Sequence, residues 1–218
     1  MEGKRQAILD AALALADEKG LSAVSMRAVA ERAGMTAMAL YPYVGSKAAL
    51  LDGMLGRLLS TMKLPDARAE DWRQRLRNLA HAARTLVHDH PWAAALLFSR
   101  PAVAPDAVST VDSVYSGLLE AGVPESEVPR LERMLSTVVL GYAASETGGR
   151  FGPGDLEPRA RRAFLRDQPL PGHRKLVRWL EQPVDWDAEF EADLDDLLHL
   201  IEAICSRCPT ETARGVRR

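Results

Sequence analysis

Between residues 20 and 47 the chain sets a helix stop or a helix start every few positions, and few folds accommodate that punctuation. Glycines at 20 and 34 admit the left-handed backbone by which helices commonly end. Ser25, Thr36 and Ser46 carry side chains that accept a hydrogen bond from the free amides of a helix start. Pro42 removes a backbone donor and disfavours helical geometry at Tyr41. In order, these signals predict a helix over about residues 25 to 33, a tight turn at Gly34, and a second short helix that opens at Thr36 and stops at Tyr41. Ahead of them Ile8, Leu9, Ala12, Leu15 and Ala16 recur at helical spacing up to Gly20, which predicts a first helix of about four turns. Behind them Leu50, Leu51, Met54, Leu55, Leu58, Leu59 and Met62 make a broad apolar stripe, so a connecting helix is expected from 47 to about 63. Two short helices joined by a tight turn, with a longer helix in front, form a helix-turn-helix, whose second helix enters the DNA major groove. The same hairpin also serves as a plain packing unit.

The second helix would lie in "MTAMALYPYVGSK", residues 35 to 47. Small and apolar side chains can approach base edges and press on thymine methyls, while hydroxyls and a lysine ammonium reach phosphate oxygens. Arg27, at the start of the preceding helix, is the long donor placed to take a guanine bidentately. Val29, Ala30 and Leu40 are assigned to the core.

The longer stretch "SMRAVAERAGMTAMALYPYVGSKAALLDGML" resembles the signature of the tetracycline-repressor-like (TetR) family. In that signature a helix-turn-helix is followed by Leu-Tyr, a second aromatic or histidine two residues later, and a lysine opening the next helix. The resemblance covers about residues 4 to 60. It implies Ala37 and Met38 as base-facing residues, with Thr36, Tyr41, Tyr43 and Lys47 on the DNA backbone. Pro42 departs from the pattern, which usually has a bulky or basic residue there. The resemblance further implies a homodimer that reads a palindromic operator in double-stranded DNA, and an all-helical effector-binding and dimerisation domain responding to a small molecule.

Charge sets the style of binding. The 218-residue chain has a formal net charge of -2, so no global basic field draws it to nucleic acid. Residues 1 to 50 hold six cations (Lys4, Arg5, Lys19, Arg27, Arg32, Lys47) and five acids (Glu2, Asp10, Asp17, Glu18, Glu31), a net of +1. DNA binding must then rest on placement, and its salt dependence should be shallow. No apolar run approaches the roughly 20 residues that span a bilayer, and a cytoplasmic protein is expected. No cofactor is implied, and no Gly-rich phosphate loop, nucleophile elbow or HExxH motif suggests an enzyme. His81, His88 and His90 have no i, i+4 pairing, so no metal site is expected. Cys205 and Cys208 lack a second ligand pair and read as two reduced thiols.

The remainder predicts further helices and an all-α fold. The domain reading is 1–46 for the helix-turn-helix, 47–63 for the connecting helix, 64–206 for the effector-binding and dimerisation domain, and 207–218 for a disordered tail. Two long stripes are expected to form the dimer interface as a four-helix arrangement. One carries Leu131, Met134, Leu135, Val138, Val139 and Tyr142; the other carries Phe190, Leu194, Leu197, Leu198, Ile201 and Cys205. Between them, residues 149 to 180 hold eight cations against three acids, and 183 to 204 hold eight acids with no Lys or Arg, so the two segments have the charge to pair. For an effector, aromatic and polar side chains of the middle helices are the candidates: Trp92, Phe98, Tyr115, Met134, Tyr142 and Glu146, with His81 and His88 near them in sequence. Two alternatives remain open, a regulator that acts through a protein partner, and an all-helical small-molecule-binding protein without DNA function.

Overall fold

The computed structural model describes residues 2–62, 71–151, 170–180 and 182–207. Every regular element among them is a helix: α1 (Glu2–Lys19), α2 (Met26–Arg32), α3 (Ala37–Val44), α4 (Lys47–Leu59), α5 (Trp72–Asp89), α6 (Ala93–Ser99), α7 (Pro105–Glu120), α8 (Val128–Thr147), α9 (Pro171–Leu180) and α10 (Trp186–Arg207), with one 3-10 turn at Leu21–Ala23. Part of the expected connection at 149–180 and the tail beyond Arg207, with Cys208, lie outside the described residues.

Helices α2, α3 and α4 begin where the capping residues stand. The hydroxyls of Ser25, Thr36 and Ser46 accept from the amides of Ala28, Ala39 and Ala49 at 3.2, 3.3 and 3.1 Å. Gly34 and Gly45 close α2 and α3 with φ of 68° and 73°, a conformation that a Cβ would strain.

Pro42 does not end α3 at Tyr41. The helix runs on to Val44 with the proline inside it. Pro42 lacks the N–H that would bond to the Met38 carbonyl, yet Leu40 and Val44, one turn apart, are both buried in the core. Packing of that pair holds the last turn, and the Gly45 amide closes it on the Tyr41 carbonyl at 2.7 Å. The connecting helix is shorter than expected, because α4 stops at Leu59 and turns through Ser60–Met62.

Two main cores organise the chain. One joins Ile8, Leu9, Val29, Leu40, Val44, Leu50, Met54 and Leu58 of the first four helices to Leu86, Ala93, Leu96 and Ala107 of α5, α6 and α7. The other packs Leu76 and Leu79 of α5, Leu118 of α7, Leu131, Leu135, Val139 and Tyr142 of α8, and Phe190, Leu194, Leu198 and Ile201 of α10. The stripes assigned to a dimer interface are therefore largely spent within one chain. Their helices still turn other faces outward, with Val138 on α8 and Leu200 on α10 exposed.

The acidic helix α10 finds its cations on α5. Arg73 pairs with Glu202, Arg77 with Glu191 and Asp195, His81 with Glu191, and Arg84 with Asp187. These pairs run in opposite directions along the two helices, so α5 and α10 lie antiparallel. Asp187, Glu191, Asp195 and Glu202 of α10 thus face α5, while Glu189, Asp193 and Asp196 are exposed.

Candidate functional site

The surface around α3 is small and specific. Met38 is 78% exposed and Tyr41, one turn later, 45% exposed. Arg27 stands exposed on the first turn of α2, and Lys47 stands exposed at the first position of α4. Neither has a hydrogen bond or ion pair among the described residues, unlike Arg32, whose Nη1 is held by Glu18 at 2.7 Å. Thr36 spends an oxygen lone pair on its cap but keeps its O–H to donate outward. Ser46 is in the same position, beside the amides of the α4 start and Lys47. Helix starts of this kind attract phosphate.

Two predicted contacts sit differently from expectation. Ala37 and Tyr43 are half-buried and pack on the first core. Ala39, by contrast, is exposed on α3. The signal for Ala39 and Ser46 was present: both flank side chains already singled out, and a cap hydroxyl on an exposed helix start is itself a phosphate donor.

Behind the head lies a cavity of about 700 Å³. Leu55, Leu59 and Met62 of the α4 end, Leu76, Leu79 and Ala83 of α5, Leu97 of α6, Val108, Val111 and Tyr115 of α7, and Leu135, Val139 and Leu140 of α8 give it mainly apolar walls. Arg100, Thr110, Asp112, Glu132, Arg133 and Ser136 supply its polar groups. The size and the few polar groups suit a small organic molecule.

Residues 8–54 match the model of bacterial regulatory proteins of the tetR family, and residues 64–204 match that of the tetracyclin repressor-like C-terminal domain. The chain belongs to the TetR family. An HTH-type transcriptional regulator of Saccharopolyspora erythraea is 33% identical over 184 residues, covering 84% of this chain and 78% of that protein. The HTH-type transcriptional repressor DrrR1 of Streptomyces coeruleorubidus is 34% identical over 140 residues, 64% of this chain and 52% of that one. In fold, the chain resembles apo ActR of Streptomyces coelicolor with a TM-score of 0.79 at 21% identity, over 93% and 96% of the two chains. The same protein in complex with actinorhodin gives 0.78 at 22%, over 91% and 96%. As a TetR-family member the chain is a DNA-binding transcriptional regulator, and the family is one of regulators rather than enzymes.

Within the TetR C-terminal domain, only Tyr115 of the six expected effector residues lines the cavity. Trp92 donates its Nε1–H to Asp17 of α1 at 2.7 Å. Phe98 is exposed on α6, and Met134 packs on the second core. Tyr142 is buried, with its hydroxyl donating to the Trp186 carbonyl at 2.7 Å. Burial, with the carboxylates of Glu189 and Glu146 behind it, pushes that phenol up to about 12. Glu146 accepts from Arg84 Nε at 2.9 Å and pairs with His88 Nε2 at 2.8 Å. His81 is paired with Glu191 at 2.8 Å. Trp92, Tyr142, Glu146 and His81 thus tie helices together.

The Glu146 pair has a pH signature. Burial opposes the ionised carboxyl, but the bonds from Arg84 and His88, with their charges, outweigh it and hold the group below its ordinary value. A lowered folded value means stability that is present above the unfolded value of about 4.3 and lost as pH falls through the folded one. Glu146→Gln is expected to lower stability by about 1.5–3 kcal/mol at pH 7, the range for hydrogen bonds to charged groups. Urea unfolding of both proteins at pH 7 and at decreasing acid pH checks this, because the gap should narrow as the wild-type carboxyl protonates.

No described helix is long and apolar enough to cross a membrane, and no group of three or more described His, Cys, Asp or Glu side chains is placed to hold a metal ion.

Proposed function

We propose that the chain works as a two-fold dimer that represses transcription from an inverted-repeat operator, and that a small molecule in the cavity relieves the repression. The observation that carries the reading is the outward pair Met38 and Tyr41 on a helix fixed at both ends, flanked by the uncommitted cations Arg27 and Lys47. Met38 and Ala39 press on bases. Arg27 takes a guanine, and Thr36, Tyr41, Ser46 and Lys47 hold phosphates. Ala37 and Tyr43, half-buried, contribute at the rim. The dimer uses the outer faces of α8 and α10, where Ala192, Asp196 and Leu200 recur every four residues beside Thr137 and Val138. Two heads then meet major grooves about 34 Å apart, and the protein acts in the cytoplasm with the chromosome. The ligand is a mostly apolar molecule with a few polar groups, as the cavity walls and the resemblance in fold to an actinorhodin-bound protein suggest. To relieve repression it must favour the non-binding arrangement by a few kcal/mol.

Selection of the full chain against random duplex DNA tests the head and the dimer together. An inverted repeat is expected with the wild type and none with Arg27→Ala/Tyr41→Ala; a single unrepeated site, or no enrichment, overturns the dimeric reader. Compound screening by thermal shift tests the cavity. A ligand at about 100 times its Kd adds about 2.7 kcal/mol, and the compounds that do so should also lower affinity for the selected DNA.

A further inference from the structure

One polar side chain links the cavity wall directly to the DNA-reading head. Arg100 follows the last residue of α6 and lines the cavity. Its Nε donates to Asp52 Oδ1 at 2.7 Å and its Nη2 to the Ala48 carbonyl at 3.0 Å. Both acceptors lie in the first two turns of α4, immediately after Ser46 and Lys47. The Arg100 and Asp52 side chains are only 22% and 26% exposed, so their charge-assisted bond is stronger than a fully solvated one, and an anion brought to the same guanidinium competes for it directly. A guanidinium has five donors, always charged, in a fork that matches a carboxylate. The other cation on the wall, Arg133, is exposed on α8. Of the lining carboxylates, Asp112 is exposed and Glu132 accepts from Ser136 at 2.7 Å.

We propose that the ligand of this cavity carries an acid group, and that this group takes Arg100 from Asp52 and Ala48, freeing the first turns of α4. The inference rests on the cavity being the effector site, as read above. The DNA-bound arrangement keeps the Arg100–Asp52 link and the ligand-bound one breaks it. The ligand thereby acts on the phosphate-holding Ser46 and Lys47 through a single side chain. Linkage makes the effect reciprocal, so DNA must weaken the acid ligand by the factor by which the ligand weakens DNA.

Two fluorescent probes isolate the acid group: 1-anilinonaphthalene-8-sulfonate and its neutral counterpart N-phenyl-1-naphthylamine share an aromatic body and differ by the sulfonate. Titrated into the full chain, the sulfonate is expected to bind wild type about tenfold or more tighter than Arg100→Gln, the worth of one charge-assisted hydrogen bond. The neutral probe should bind both alike. Asp52→Asn keeps Arg100 and weakens its competitor, so it should bind the sulfonate several-fold tighter and the selected DNA more weakly. The sulfonate, and not the neutral probe, should weaken DNA binding by wild type, and DNA should weaken the sulfonate equally. If Val111→Trp, which projects an indole into the cavity, changes the affinity of both probes while neither Arg100→Gln nor Asp52→Asn changes their affinity ratio, the acid-group inference is overturned and the cavity reading stands. Sulfonate binding that depends on Arg100 yet leaves DNA binding unchanged also overturns it. If Val111→Trp changes the affinity of neither probe, the cavity reading falls and takes this inference with it.

Discussion

Arg27→Ala is expected to weaken operator binding by about 2–6 kcal/mol, because a two-fold dimer loses the guanine contact in both half-sites and each such contact is worth about 1–3 kcal/mol. The side chain is exposed at the start of α2, with no acid among the described residues to hold it back. Its loss should also relax sequence preference at one position of each half-site. Lys47→Ala is expected to behave differently. A lysine on a phosphate carries no sequence information, so affinity should fall evenly across sequences and the slope of log K against log salt should shrink by about 0.9 per phosphate released, or about 1.8 per dimer. The head supports few such contacts, since its net charge is +1 and Arg32 is already bound to Glu18. A wild-type slope shallower than about -10 follows. Fluorescence anisotropy on the selected DNA at several salt concentrations measures all of these, and a steeper slope contradicts the assignment.

Leu40→Ala is expected to lower stability by about 2–5 kcal/mol and to abolish DNA binding in the same protein. The magnitude is that of a fully buried leucine whose neighbours cannot collapse into the space it leaves. The coupling to function comes from α3. Eight residues are too few to hold a helix in water, and Pro42 has already removed one of its hydrogen bonds. Leu40 and Val44 are the buried anchors that remain. A denaturant midpoint lowered with the slope unchanged, together with lost operator binding under native conditions, is the expected pair of results. Full DNA affinity in a folded Leu40→Ala protein would show that α3 does not need its anchor.

Local chemistry made the head legible in advance. A serine or threonine cap and a glycine stop act within three or four residues, so Ser25, Thr36, Ser46, Gly34 and the helices they bound could be read without knowledge of anything distant. Pro42 was misread for the complementary reason. The rule that a proline ends a helix is local, and it lost to the burial of Leu40 and Val44, which depends on what packs beside them. The body was less legible because aromatic and acidic side chains do not declare which way they face. Tyr142 and Glu146 have the chemistry of a binding site and use it on Trp186, Arg84 and His88. The walls of the cavity are ordinary valines and leucines whose stripes resemble any core. The ion-pair ladder between α5 and α10 had a usable signal that was not combined: cations at 73, 77 and 84 and acids at 187, 191, 195 and 202 each keep to one helical face.

The first core does not end with α4. Leu86 and Leu96 belong to the same buried cluster as Leu40 and Val44, so the reading helix shares its interior with the end of α5 and with α6. Melting the head alone would expose part of that shared interior to water. Amide hydrogens of α3 should therefore exchange with solvent at rates set by a larger cooperative unit that includes α6, and a small molecule bound in the body should slow exchange in a helix it never touches.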